Sequence, residues 1–230
     1  MDLARLTVFV FIVFGVCFVD ANRMRRLTRG LINNYDKLSL PQPNDELPLN
    51  VNHSIELKRI VSLENQVLTL DATISMFWRD DQLVWNPEDF GDITLINLPS
   101  SLIWKPDVIL ENNAEHSSGI HSPDINVVVL NDGVLFYIFP VKIQSYCRVK
   151  HKNLKRGSRV NCILKFLSWT HDGTRIDLNN SDEQVHLSGF EDFNDEWKLI
   201  DHRVTRKVEM YECCPEPYIH LLYEFDLEKK

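Results

Sequence analysis

From Val67 onward the chain alternates short β-branched or aromatic runs with turn residues, and no helical segment separates them. The runs fall at 67–77, 125–130, 134–139, 162–169, 204–211 and 219–225. Asn131-Asp132-Gly133 lies between two of them, and its Asp-Gly step readily takes the positive φ angles of a tight hairpin. His171-Asp172-Gly173 reads as a second hairpin turn. Strands this frequent predict an all-β chain, an antiparallel, immunoglobulin-like β-sandwich whose two sheets bury alternating side chains. One exception precedes them. Met24, Leu27, Leu31 and Tyr35 recur at helical intervals over residues 22–36, which predicts a short N-terminal amphipathic α-helix, and Pro41, Pro43 and Pro48 prevent its continuation. With no internal repeat and no low-complexity linker, residues 22–230 read as one domain.

The first residues have the pattern of a secretory signal. Arg5 precedes an apolar run from Leu6 to Val19, and Val19-Asp20-Ala21 offers small residues for cleavage, so residues 1–21 are expected to be removed after Ala21. No later apolar stretch is long enough to cross a bilayer, so a soluble, secreted, extracellular product is expected. Loss of Cys17 leaves Cys147, Cys162, Cys213 and Cys214 in an oxidising compartment, where three pairings are open. The favoured set joins Cys147 to Cys162 and Cys213 to Cys214. Asn52-His53-Ser54 and Asn179-Asn180-Ser181 are glycosylation sequons that suit such a chain. The formal charge of −8 disfavours nucleic acid as a partner and mildly favours cationic ligands.

Cys213 and Cys214 are neighbours in Tyr211-Glu212-Cys213-Cys214-Pro215-Glu216-Pro217-Tyr218. A bond between them would close almost no loop in the unfolded chain, so it adds little as a staple. Its value would lie in stiffening one loop tip, and the flanking Tyr211 and Tyr218 supply rings that attract a cation. Two further strings accompany this one in order along the chain: Trp104-Lys105-Pro106-Asp107 and Leu167-Ser168-Trp169-Thr170-His171-Asp172-Gly173. With Trp78-Arg79-Asp80 and Trp85-Asn86-Pro87 upstream, the set resembles the ligand-binding domain of Cys-loop receptors. The match is nearest to the nicotinic α-type and its soluble acetylcholine-binding relatives, and it covers nearly the whole of residues 22–230.

The resemblance implies a homo-pentameric ring of sandwiches with a small cationic amine held at each subunit boundary. On that pattern Trp169, Tyr211, Tyr218 and the Cys213–Cys214 pair form the principal face. Trp78, Val128, Phe136 and Ile138 form the complementary face of the neighbouring copy. Trp85 and Trp104 read as structural. The family's Leu-Tyr-Asn-Asn continuation is Leu110-Glu111-Asn112-Asn113 here, so Glu111 stands where the aromatic box expects a tyrosine. A carboxylate there would favour primary or secondary ammonium ligands, which donate charge-assisted hydrogen bonds that a quaternary ammonium lacks.

The segment between Cys147 and Cys162 also departs from the receptors. Arg148, Lys150, Lys152, Lys155, Arg156 and Arg159 occupy it with no acid, in place of an apolar membrane-facing element. This basic loop, with the charged tail ending at Lys230, favours a soluble binding protein over the extracellular domain of a cation channel. An orphan ring with a degenerate amine site is the remaining alternative. Catalysis is not expected: His171 and Asp172, like Asp201 and His202, are adjacent and on a strand would point to opposite faces. No spacing matches a metal site, and no cofactor is expected.

Overall fold

The computed structural model describes residues 22–41, 47–115, 123–149 and 154–230. The expected signal segment, Pro43 and the centre of the basic loop lie outside these. Helix α1 covers residues 22–33 and buries Leu27, with Leu31 and Ile32 packed partly against the core. Met24, expected on the buried stripe, is exposed, and Tyr35 lies beyond the helix end. Tyr35 docks the segment instead. Its hydroxyl donates to Asp80 Oδ2 at 2.7 Å and accepts from the Trp104 amide at 2.9 Å. Burial, then the hydrogen bond to Asp80, raises the Tyr35 pKa out of the physiological range, so it stays a neutral donor.

Among the described residues ten strands follow, in two layers. One sheet has six strands in the order β3 (Leu95–Pro99), β5 (Asn126–Leu130), β6 (Asp132–Tyr146), β2 (Val67–Val84), β1 (Leu49–Glu64), β8 (Ile176–Asn179). The other has four, in the order β4 (Val108–Leu110), β7 (Arg159–Ser168), β10 (Cys214–Lys229), β9 (Trp197–Tyr211). The long strands extend well past the apolar runs that announce them. Polar residues fill many of their outward positions and the strand ends, where the hydrophobic pattern fades but the ladder continues.

The Asn131–Gly133 turn forms as expected, joining β5 to β6 with Gly133 at φ +83°. A Cβ there would fall 2.7 Å from the Asp80 carbonyl oxygen, so space as well as φ demands glycine. The His171–Gly173 turn differs from the expectation. It does not close a hairpin: β7 precedes it in the four-stranded sheet, and β8 follows it in the other sheet, paired parallel with β1. Turn chemistry marks a reversal but not the partner of the next strand. The layers are also joined covalently, since Cys147 beyond β6 is bonded to Cys162 in β7 with a Cα–Cα distance of 5.0 Å.

A buried polar knot crosses the core. The Tyr223 hydroxyl of β10 donates to the His53 carbonyl of β1 at 2.6 Å, and His53 Nδ1 lies 2.8 Å from that hydroxyl oxygen. The hydroxyl has one proton, already spent on the carbonyl, so the satisfied arrangement has neutral His53 donating from Nδ1–H. Asn180 Nδ2 donates to both the His53 carbonyl and the Tyr223 hydroxyl.

Burial depresses the His53 pKa to about 3, far below the ordinary histidine value. The unfolded chain therefore takes up a proton below about pH 6.5 that the folded chain refuses, and stability falls as pH drops from there toward 3. Urea unfolding of wild type should lose about 2 kcal/mol more than His53→Gln between about pH 7 and pH 5. Equal losses would show that His53 is not the residue responsible.

Candidate ligand-binding site

Strand alternation decides which side chains can meet a ligand. On β10, Leu221, Tyr223, Phe225 and Leu227 face the core, which turns Tyr218, His220 and Leu222 outward. Cross-strand register places Tyr218 opposite Glu209 and His220 opposite Lys207 on β9, and Leu222 opposite Lys165 on β7. The outer face of the four-stranded sheet thus collects Tyr211, Tyr218, Glu209, His220 and Lys165. Tyr211 and Tyr218 meet edge to face with centroids 5.3 Å apart. Cys213 and Cys214 are bonded at the tip of the β9–β10 hairpin, with Cα atoms 3.8 Å apart. This is closer than most bridged pairs and is imposed by adjacency.

Trp169 follows β7 directly and is 66% exposed. A side chain so apolar stays out only if its backbone is held, and Asp107 holds it. The Asp107 carboxylate accepts from the Ser168 hydroxyl, from the Thr170 amide at 2.7 Å and from the Thr170 hydroxyl at 2.6 Å, while the Asp107 carbonyl accepts from the Trp169 amide at 3.2 Å. His171 Nδ1 approaches the same carboxylate at 3.5 Å. Burial alone would raise the Asp107 pKa, but these hydrogen bonds outweigh it and hold the group below the ordinary carboxylate value. The Trp-x-Pro-Asp and Ser-Trp-Thr strings are therefore two halves of one turn.

Glu111 lies just past β4, and its amide donates to the Lys165 carbonyl at 2.8 Å. Its carboxylate is 3.8 Å from Lys165 Nζ, with both side chains substantially exposed, so the pairing is loose. The Glu111 charge also reaches Tyr211. Partial burial, then the neighbouring Glu209, then Glu111 and Tyr218 raise the Tyr211 pKa and keep its hydroxyl protonated.

The expected complementary residues divide. Val128, Phe136 and Ile138 point outward from the six-stranded sheet, and Val128 pairs with Phe136 across β5 and β6. Trp78 does not join them. It is 3% exposed and packs edge to face on Trp104 in the core, with centroids 6.1 Å apart. A strand has a period of two, so a shift of one residue exchanges faces, and Phe77 takes the outward place that was expected of Trp78. Phe77 pairs with Phe136 in register, and their rings lie 5.0 Å apart.

The two aromatic sets face away from each other, one from each layer of the sandwich. Because packed sheets are about 10 Å apart, the two sets of one chain cannot touch the same small molecule. The sequon residues lie elsewhere, with Asn52 and Asn179 opposite each other in the β1–β8 pair. Asn52 donates to the Ser181 hydroxyl, and Asn179 Nδ2 donates to Asn50 Oδ1 at 2.9 Å.

Several residues of this surface escaped the sequence reading. Asp107 carried a signal, its place in the Trp-x-Pro-Asp string. Phe77, Glu209 and His220 carried none, because cross-strand register alone makes them neighbours of the rings.

A two-layer β-sandwich with an exposed aromatic surface beside a vicinal disulfide defines a ligand-binding domain of the Cys-loop class. Comparison with known proteins agrees: residues 24–230 match the neurotransmitter-gated ion-channel ligand binding domain, and the chain belongs to that family. The family is a ligand-binding one, not an enzymatic one. The chain is 34% identical over 207 residues to the neuronal acetylcholine receptor subunit alpha-10 of Rattus norvegicus, covering 89% of this chain and 46% of that protein. It is 31% identical over 214 residues to the acetylcholine receptor subunit alpha of Danio rerio, covering 92% of this chain and 46% of the relative. The chain thus spans under half the length of these relatives. Among the described residues no helix is long and apolar enough to cross a membrane.

Replacing Asp107 with Asn would present an amide to the donors of Ser168 and Thr170. Hydrogen exchange at the Thr170 amide should accelerate by about tenfold or more, with a stability loss of about 1–3 kcal/mol. Unchanged exchange would mean that the Trp169 turn is held by something else.

Proposed function

We propose that this chain binds a small cationic amine between head-to-tail copies of itself, with Trp169, Tyr211, Tyr218 and the Cys213–Cys214 tip on one copy. Val128, Phe136, Ile138 and Phe77 of the next copy complete the cage. The observation that carries the reading is the opposed placement of the two aromatic surfaces on the layers of one sandwich. Such a site is complete only where two copies meet through unlike faces, and contacts of that kind close into a ring when the rotation permits. A homo-pentamer is the proposed closure, by the family resemblance. Acetylcholine-like amines are the proposed class, supported by the relatives' names as acetylcholine receptor subunits and by rings that favour a desolvated ammonium.

Glu111 adjusts the preference. Its carboxylate adds an acceptor beside Tyr211 that a protonated amine can use and a quaternary one cannot. We read the chain as a secreted binding protein bearing glycans at Asn52 and Asn179. The relatives are receptor subunits of more than twice its span, and this favours a second reading, the extracellular part of a ligand-gated cation channel. Whether the native product partitions into medium or membrane discriminates the two.

Calorimetry with acetylcholine and serotonin, alongside native mass spectrometry for ring size, tests the site. Trp169→Ala should weaken acetylcholine binding by about tenfold or more. Glu111→Tyr should shift the acetylcholine-to-serotonin affinity ratio toward acetylcholine by about tenfold. An unchanged ratio sinks the role given to Glu111, and the absence of heat with any amine supports the degenerate ring.

A further inference from the structure

The outer face of the four-stranded sheet carries a covered histidine that the aromatic cage does not account for. His220 faces outward between Tyr218 and Leu222, yet it is only 3% exposed because Tyr211 and its neighbours cover it. Its Nε2 lies 3.2 Å from the Tyr211 hydroxyl and 3.6 Å from Glu209 Oε2. The Tyr211 hydroxyl donates to that same Glu209 oxygen at 3.1 Å. With the tyrosine proton given to Glu209, the phenol oxygen is free to accept from Nε2–H, so a neutral imidazole completes a chain from His220 through Tyr211 to Glu209.

The surrounding charges come from three elements. On β9, Lys207 pairs with Glu209. On β7 and after β4, Lys165 and Glu111 form the loose pair already described. Hydrogen bonds from Lys207 and Tyr211 hold the Glu209 pKa below its ordinary value, so this carboxylate stays ionised through the range in which histidines change charge.

We propose that His220 is a positioning residue for Tyr211 and that its protonation weakens capture of a cationic ligand, so the site holds its ligand near neutrality and releases it in acid. The inference rests on the amine-site reading above. Two effects act in the same direction. A protonated imidazole places a positive charge directly behind the cage ring, where it repels an ammonium. It also draws Glu209 into a direct ion pair, which removes the acceptor that orients the Tyr211 hydroxyl. A histidine with a merely structural role would lower affinity equally at every pH when replaced.

The test is calorimetry with acetylcholine, whose quaternary charge does not vary with pH, on assembled wild type and His220→Gln at about pH 8 and about pH 5.5. Wild type should lose about tenfold in affinity between the two, while the ratio for His220→Gln, whatever its absolute affinity, should stay within about twofold. A wild type indifferent to pH, or a variant with the same ratio as wild type, overturns the proposal. A ligand-free measurement keeps it decidable if acetylcholine does not bind wild type at pH 8, a result that would count against the amine site itself. Fluorine NMR of fluorotyrosine-labelled protein, with the Tyr211 signal assigned by Tyr211→Phe, should give a resonance that moves between about pH 8 and about pH 5.5 in wild type. The resonance should stay still in His220→Gln. A Tyr211 signal that is static in both, or titrates alike in both, overturns the coupling.

Discussion

The knot formed by Tyr223, His53 and Asn180 sets the phase of both layers. Each of its polar atoms is buried, and an unsatisfied one would cost about 1–3 kcal/mol, so β1 and β10 can meet only in the register that closes these hydrogen bonds. Once Tyr223 is inside, the period of a strand obliges Leu222, His220 and Tyr218 to face out. With His53 inside, Asn52 faces out as well, opposite Asn179, while Asn180 turns into the core. The interior contact therefore decides what the exterior presents. Phe166 packs against both His53 and Tyr223, at centroid distances of 4.6 and 5.7 Å, and extends the same constraint to β7, the strand that Trp169 directly follows.

The exposed rings are held by three different devices, suited to their positions. Trp169 has no partner strand, and its turn depends on the Asp107 carboxylate, which gathers donors from Ser168 and Thr170. Tyr218 is carried by the β10 ladder. Tyr211 is on β9, the edge of its sheet, where Glu209 and His220 fix the hydroxyl and the vicinal disulfide stiffens the tip beyond it. An edge strand this long, with no partner on one side, would otherwise be a site of promiscuous pairing, and the charges of Arg203, Lys207 and Glu209 along it oppose that.

How much of this the sequence disclosed depends on the range of each interaction. The sandwich was legible from alternation, and the nearness of Tyr211 and Tyr218 to the vicinal cysteines from a single string, because both are local patterns. Trp78 failed for a reason of phase. Its neighbour Phe77 is equally aromatic, and only the packing of Trp78 on Trp104 tells which of two adjacent residues looks outward. The His171-Asp172-Gly173 turn failed similarly, since a turn signal carries no information about which layer receives the next strand. His220 was silent because its meaning comes from Glu209 and Tyr211 across a ladder, and register is set by the whole hairpin rather than by any motif.

The electrostatics of the outer face follow from the same layout. Glu111 and Glu209 both act on Tyr211, and each has a lysine, Lys165 or Lys207, within ion-pair distance. The balance is unequal. Lys207 engages Glu209 as a direct hydrogen-bond donor, whereas Lys165 stands off from Glu111 at 3.8 Å with both groups largely hydrated. A loosely paired carboxylate keeps more of its charge available to a third group, so in the proposed site Glu111 would be the better placed of the two to engage an ammonium. Glu209 is already committed to Lys207 and Tyr211, so under the proposed site its effect on a ligand would pass through the orientation of the ring. One acid would thus choose the ligand and the other would hold the wall against which it rests.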